Sequence, residues 1–206
     1  MSAPSRVFLL SPAHCGGERA ALLFRKEAVF DLARGVRKPP GVPLGEVFSF
    51  LSGLYFRGKL AYAEAFAAPP AGLAGVYVIT PNEGLRRADE LVDLARLRGF
   101  AQVDIDAADA RYHRPLRRDT ARVAAHLGPA GEAVLLGSVA TGKYVDPLLG
   151  AFGACLAFPA AFVGRGDMSR GGLLLRSAAA GTELDYVPVG GSVRRGARPP
   201  RLARRR

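Results

Sequence analysis

Short, almost continuously apolar runs recur along this chain and alternate with segments of helical periodicity. Six runs rich in Val, Ile, Leu and Phe have the length of strands, at 6–10, 75–80, 103–105, 133–136, 155–158 and 184–189. Near-continuous hydrophobicity is typical of strands buried on both faces, as in a sheet covered by helices. The pattern therefore predicts an α/β fold with a mainly parallel or mixed sheet flanked by helices.

Helical patterns fill most of the intervals between these runs. They predict helices over 18–36, 44–66, 87–98, 115–127 and 146–152. A length of 206 residues suits one domain, and 49% hydrophobic residues with 23% charged residues exclude a chain without a packed core. We expect a single α/β domain over residues 1–193.

The positive charge is concentrated at the C-terminus. The net charge is +11, and seven arginines fall within 194–206, a stretch that has no acidic residue. A block of like charge with Pro199 and Pro200 favours a disordered tail. Such a tail binds polyanions without sequence preference, and the alternative is an incidental basic terminus.

Cysteine usage and hydropathy bear on the compartment. Cys15 and Cys155 are far apart, so neither a zinc site nor a disulfide framework is indicated, and we expect a reducing environment. The sequence has no signal-peptide pattern and no apolar run long enough to span a bilayer. We expect a cytoplasmic protein that does not associate with membranes, without a cofactor or metal; the oligomeric state is left open.

The segment 164–172, Gly-Arg-Gly-Asp-Met-Ser-Arg-Gly-Gly, has the composition of an anion site. Glycines let backbone N–H groups approach a ligand, and arginine presents a planar fork of donors to phosphate or carboxylate. We expect an Arg/Gly-rich loop at the edge of the sheet in which the ligand contacts are Gly164, Arg165, Ser169 and Arg170. Asp167 is a candidate general base. The alternative is an exposed glycine-rich turn.

A second candidate is the turn after the first run, at Ser11 and residues 12–19. Open α/β sheets bind ligands where a strand ends before a helix, so Ser11 and the backbone N–H groups of Gly16 and Gly17 are candidate phosphate contacts. A further hypothesis is that Cys15, beside His14, acts as a thiolate nucleophile. The alternative is an ordinary turn.

The segment 137–143 satisfies most of the phosphate-loop pattern, in which glycines cradle phosphates and a lysine reaches their outer oxygens. Tyr144 stands where the pattern requires Ser or Thr. Asp146 and Pro147 predict a helix that begins several residues after the lysine. We therefore expect a looser phosphate or substrate contact by Ser138, Thr141 and Lys143, or a structural turn.

Acidic residues supply two more candidates. Glu83 follows the 75–80 run and is a candidate general base in the crevice expected where the strands end. Asp104 and Asp106 alternate on a predicted strand and would share a face, but no third ligand accompanies them, so we expect no metal site.

Two segments carry a family resemblance. The stretch 54–63, Leu-Tyr-Phe-Arg-Gly-Lys-Leu-Ala-Tyr-Ala, and the strand that ends in Thr-Pro-Asn-Glu-Gly-Leu at 80–85 resemble small bacterial α/β proteins related to the peroxide-stress DNA-binding family. The opening strand also runs into a short turn with Ser11. The resemblance covers roughly the first 90 residues. It implies a role with nucleic acid or nucleobases.

These features predict a protein that binds nucleic acid or a nucleotide at the sheet edge, and action on a nucleobase or nucleotide is left open. Two alternatives remain open. One is a small-molecule hydrolase or transferase with an anionic substrate in the same crevice, and the other is a non-catalytic partner of another protein. Whether the chain is an enzyme is left undecided.

Overall fold

The computed structural model describes residues 4–200 and residue 202. Its main sheet has six strands, which in chain order are β1 (Arg6–Leu10), β3 (Val76–Thr80), β4 (Gly84–Arg87), β6 (Glu132–Leu136), β7 (Leu156–Pro159) and β8 (Tyr186–Pro188). Across the sheet they lie in the order β4-β3-β1-β6-β7-β8. β1, β3, β6 and β7 are parallel, while β4 and β8 are antiparallel edge strands. A separate pair, β2 (Val42–Pro43) and β5 (Leu91–Val92), is antiparallel.

Eight α-helices occur in the described residues. They are α1 (Glu18–Phe24), α2 (Asp31–Gly35), α3 (Leu44–Ser52), α4 (Leu54–Phe66), α5 (Leu94–Ala101), α6 (Ala110–Leu127), α7 (Gly142–Phe152) and α8 (Asp167–Ala180). α4 packs on α8, and α6 packs on α7. No helix in this part of the chain is both long and apolar enough to cross a membrane.

The core is centred on β1 and β6. Phe8 pairs with Val76 on one side and with Val134 on the other. Four consecutive residues are buried in each of β1 and β6, which requires cover on both faces of the sheet. The predicted α/β class with a mixed sheet flanked by helices is confirmed.

Several predicted elements were wrong in type or extent. Residues 103–105 form no strand, and Asp106 instead accepts a hydrogen bond from the backbone of Ala108, closing a turn. The helices predicted over 18–36 and 44–66 are each divided, the second at Gly53, whose φ is +63°. The helix predicted over 87–98 is replaced by the end of β4, β5 and α5.

The start of α7 was also predicted wrongly. The helix begins at Gly142, not at Asp146, and Pro147 lies inside it. A proline there has no N–H to give to the carbonyl of Lys143, four residues earlier. The hydroxyl of Tyr112 on α6 donates to that carbonyl instead, at 2.9 Å. A side chain from another helix therefore allows this early start, and no local sequence pattern reports it.

The predicted loop at 164–172 is half helix. Gly164 has φ +71° and belongs to the connection after β7, while α8 begins at Asp167. The glycines in the helical half are explained by the close crossing of α4 and α8. A Cβ on Gly171 would lie 2.8 Å from the Cα of Tyr55, and a Cβ on Gly58 would lie 2.6 Å from the carbonyl oxygen of Gly171. Gly171 thus brings the first turns of the two helices together.

The prediction of a disordered tail was wrong for the described residues 194–200 and 202. Arg195 donates to the carbonyl of Ala140 with Nη2 at 2.8 Å, and Arg165 donates to the carbonyl of Pro200 at 3.4 Å. A Cβ on Gly164 would clash with the carbonyl oxygen of Ala197, so the chain packs directly on that glycine. We call residues 194–200 the C-terminal strap. Residues 201 and 203–206 of the predicted tail lie outside the described residues.

Candidate functional site

The carboxyl ends of β1 and β6 meet at the point where the chain reverses its direction across the sheet. From β1 the chain goes to β3 on one side, and it later returns to β6 on the other side of β1. Open α/β sheets leave a crevice outside the strand ends at such a point, because successive connections cover opposite faces. The loop 11–17 follows β1 and the loop 137–141 follows β6. We call the region where these two loops meet the crevice.

The two loops touch at Ser11 and Gly137. The backbone N–H of Ser11 donates to the carbonyl of Leu136 at 3.1 Å. A Cβ on Gly137 would lie 2.9 Å from the Cβ of Ser11. The absence of a side chain at position 137 therefore allows the close approach, which places the Ser11 hydroxyl, itself buried, between the loops.

Lys59 lies directly behind Ser11. Its Nζ donates to the carbonyl oxygen of Ser11 at 2.5 Å and is 2.9 Å from the Ser11 Oγ. Only 1% of the lysine is exposed, and no carboxylate within the described ranges forms a salt bridge with it. Burial lowers the pKa of Lys59 to about 7, and the negative charge of Asp167 opposes that change.

Tyr55 stands one helical turn before Lys59 on α4. Its hydroxyl is buried beside the Arg170 guanidinium, and no residue among 4–200 and 202 accepts its proton. The Lys59 Nζ lies 4.6 Å from the centroid of the Tyr55 ring. Burial raises the pKa of Tyr55, although Arg170 counteracts part of this effect, so the phenol is neutral at ordinary pH.

α8 supplies Asp167 and Arg170 beside these groups. Arg170 is 7% exposed and donates from Nη2 to the carbonyl oxygen of Phe162 at 3.0 Å. Its Nη1 lies 3.7 Å from the Asp167 carboxylate, which is 69% exposed. The guanidinium is therefore fixed by a backbone carbonyl, and its remaining donors face Asp167 and Tyr55.

The structure groups Arg165 with Ser169. Arg165 donates to the carbonyl of Ala161 at 3.0 Å and to the Ser169 Oγ at 3.2 Å. The positive φ of Gly164 and its contact with Ala197 account for glycine at that position through backbone geometry and packing.

The β6–α7 loop holds the other predicted phosphate contacts. Thr141 is the N-cap of α7, and its side chain makes no capping hydrogen bond. Lys143 is exposed, with its Nζ 5.1 Å from the centroid of the Tyr144 ring, and Ser138 is half-buried. The Asp146 carboxylate folds back over the first turn and occupies the space that a Cβ on Gly142 would need.

Glu83 lies apart from this grouping. Its carboxylate accepts hydrogen bonds from Arg96 at 2.5 Å and from Arg86 at 3.0 Å. Burial raises the pKa of Glu83, but the two arginines outweigh burial and the net change is downward. A carboxylate held ionised in this way is a weak proton acceptor. These contacts tie the β3–β4 turn to α5.

The first loop contains both an exposed and an inert part. Gly16 is exposed, and Gly17 is the N-cap of α1. Cys15 is buried, and burial raises the pKa of its thiol to about 12, which disfavours the thiolate considered for it. No group of three metal-ligating side chains converges anywhere in the described part of the chain.

Sequence reasoning missed Lys59 and Tyr55 as site residues. The signal was present, because Tyr55, Lys59 and Tyr62 share the buried face of α4 at helical spacing. A lysine on an apolar face is unusual enough to mark a site.

Comparisons with protein-family models, curated proteins and solved structures gave no match. The resemblance to the peroxide-stress family therefore stays a prediction.

Proposed function

We propose that this chain binds a phosphate-bearing ligand, a nucleotide or the phosphate of a nucleic acid, in the crevice between the carboxyl ends of β1 and β6. The observation that carries the proposal is Lys59, a buried amine without a carboxylate partner beneath Ser11. Buried charges in proteins are normally paired. An anion in the crevice supplies the partner that the described residues do not.

The surroundings of the crevice favour the same ligand. Lys143 is exposed at the start of α7, and Arg195 of the C-terminal strap is bound to the adjacent loop at Ala140. The unpartnered Tyr55 hydroxyl adds a buried donor close to Arg170. Positive charge that lines a crevice raises the local concentration of anions and strengthens their binding.

Calorimetric titration with AMP, ADP and adenosine tests the proposal. We expect AMP and ADP to bind and adenosine to bind at least tenfold more weakly, because it lacks phosphate. Lys143→Ala should weaken AMP binding about tenfold, the loss of one charge-assisted hydrogen bond. Lys38→Ala removes another exposed lysine, far along the chain from both loops, and should leave the Kd unchanged. Equal binding of AMP and adenosine, or equal losses in the two variants, would refute a phosphate site.

The C-terminal strap separates a nucleotide from a nucleic acid as ligand. A protein that ends at Val193 lacks the arginines at 194, 195, 198, 201 and 204–206. If the ligand is a polynucleotide, truncation should reduce the affinity for a single-stranded oligonucleotide and flatten its salt dependence, because fewer counterions are released. Affinity for AMP should fall less, because Arg195 is the strap arginine that contacts a crevice loop. Oligonucleotide binding that survives truncation unaltered places the nucleic-acid contact in the folded domain, and AMP binding without oligonucleotide binding argues for a mononucleotide.

The contact between Ser11 and Lys59 favours a second candidate function, a hydrolase or transferase with an anionic substrate in this crevice. A neutral lysine 2.9 Å from a serine hydroxyl has the geometry of a base beside a nucleophile. In acyl transfer the Oγ bonds to the carbonyl carbon, its proton passes to Nζ, and Nζ then protonates the leaving group. Labelling with a fluorophosphonate at pH 8, followed by mass spectrometry, should modify Ser11 and not the Ser11→Ala protein. An unlabelled Ser11 excludes this reaction.

A further inference from the structure

The hydrogen bond between Lys59 and Ser11 has two possible directions. A protonated lysine has three donors and no acceptor, so the Ser11 Oγ must then accept, and its own proton is left for another group. A neutral lysine has a lone pair to which the Ser11 hydroxyl donates. With the two atoms 2.9 Å apart, the charge of Lys59 determines whether the Ser11 O–H points inward or into the crevice.

The groups that face Lys59 do not supply a full counter-charge. From its own helix it meets the rings of Tyr55 and Phe56, with Nζ 4.6 Å and 4.7 Å from their centroids. From α8, Asp167 acts on it at a distance, and that carboxylate is shared with Arg170. From α7, the phenol of Tyr144 lies near Tyr55 and Asp167, and because burial raises its pKa to about 12 it is neutral at ordinary pH. Aromatic faces attract a cation weakly compared with a carboxylate in contact.

The Tyr55 hydroxyl is a second incomplete group, on a ring whose centroid is 4.6 Å from the Lys59 Nζ. It is buried, and no described residue accepts its proton. Leaving a buried hydroxyl without a partner is unfavourable, and native proteins contain few such groups. These two incomplete groups are one helical turn apart on α4. Together they indicate that one hydrogen-bond acceptor, with a negative charge, is missing.

We propose that Ser11 and Tyr55 donate hydrogen bonds to an anionic oxygen of the ligand, and that Lys59 takes up a proton from solvent as this oxygen enters. This anion subsite rests on the proposed function and specifies its chemistry. The ligand group is a fully ionised phosphate or sulfate oxygen. Ser11 transmits the lysine charge to it, which explains why Lys59 itself can remain buried.

Sulfate is the sharpest probe, because it stays fully ionised between pH 6 and pH 9. If Lys59 is half-protonated near pH 7 when free and fully protonated when the anion is bound, the sulfate Kd should be about tenfold weaker at pH 8 than at pH 6. An NMR titration of the full chain measures both constants. In the Lys59→Met variant, the two constants should agree within about twofold, and binding at pH 6 should be weaker. A Kd independent of pH in the parent protein, or no sulfate binding at pH 6, overturns the inference.

Calorimetry of the unaltered protein provides a test that does not depend on folding of the variant. AMP binding at pH 8, measured in HEPES and in Tris, should show an uptake of about 0.9 proton per site. AMP binding without proton uptake overturns the anion subsite and leaves the nucleotide proposal standing. Sulfate binding that weakens tenfold between pH 6 and pH 8, without any AMP binding, supports the anion subsite and overturns the nucleotide proposal. Ser11→Ala should weaken sulfate binding at pH 6, because it removes the transmitting hydroxyl, and unchanged binding would contradict the role of Ser11.

Discussion

Replacing Lys59 with Met should change how the stability of the protein depends on pH. Methionine has a similar length, is suited to an apolar site and does not titrate. In the folded protein, burial lowers the pKa of Lys59 from 10.5 to about 7, whereas the unfolded chain keeps the ordinary value. Between these two pH values the unfolded state binds more protons, so the stability of the parent protein rises with pH relative to the variant.

The size of this effect follows from the two pKa values. Folding with a neutral Lys59 costs about 4 kcal/mol at pH 7 and about 2 kcal/mol at pH 9, relative to a residue that does not titrate. The free energy of unfolding of the parent should therefore gain about 2 kcal/mol on the variant between pH 7 and pH 9. Lost hydrogen bonds to Ser11 shift the variant equally at both pH values.

Urea unfolding of both proteins at several pH values between 7 and 9 measures this difference. All other titrating groups are common to the two proteins, so their contributions largely cancel. A difference in free energy that stays constant within about 0.5 kcal/mol would refute the reasoning. Such a result would mean that Lys59 remains protonated in the folded protein and has a counter-charge.

Three further predictions concern packing, the α7 start and the cysteines. Gly171→Ala should destabilise the protein by about 1–3 kcal/mol in urea unfolding, because its Cβ would meet the backbone of α4. Gly150→Ala, in open space on α7, should be neutral or stabilising, and equal effects of the two substitutions would contradict the close crossing of α4 and α8. Tyr112→Phe should lower the free energy of unfolding by about 1–2 kcal/mol in the same assay, because the Lys143 carbonyl loses its hydrogen-bond donor. An unchanged urea midpoint would show that this hydrogen bond is dispensable. Iodoacetamide at pH 8 should modify Cys155 well before Cys15, since burial raises the pKa of Cys15 to about 12; mass spectrometry showing equal labelling would contradict this.

The central strands could be predicted from the sequence because they are fully buried. Residues 7–10, 76–79 and 133–136 are apolar throughout, so the composition of each run indicates burial on both faces of the sheet. The edge strand β4 could not be found in this way. Its sequence Gly-Leu-Arg-Arg is half polar, and its position depends on Asp119 of α6, which accepts a hydrogen bond from the backbone of Leu85 at 3.1 Å.

The position of the candidate site in the fold could be predicted from the sequence only in part. Ser11 and the 137–143 segment were placed at the sheet edge because each follows a buried run, and the strand order brings them together. Lys59 was missed because its importance comes from tertiary burial beneath Ser11, 48 residues away in sequence. The position of Arg170 also depends on tertiary structure, since the carbonyl that holds it belongs to Phe162 in the connection before α8.

The most direct test of the account is to locate the bound phosphate by ¹H–¹⁵N NMR during a titration with AMP at pH 6.5. We expect the largest amide shifts at residues 11–17 and 137–143, with smaller shifts at the start of α8. The same titration of Lys59→Met should show these shifts only at higher AMP concentration. Shifts confined to the C-terminal strap or to the turn at Glu83, with the two crevice loops unmoved, would contradict the proposal that this crevice is the binding site.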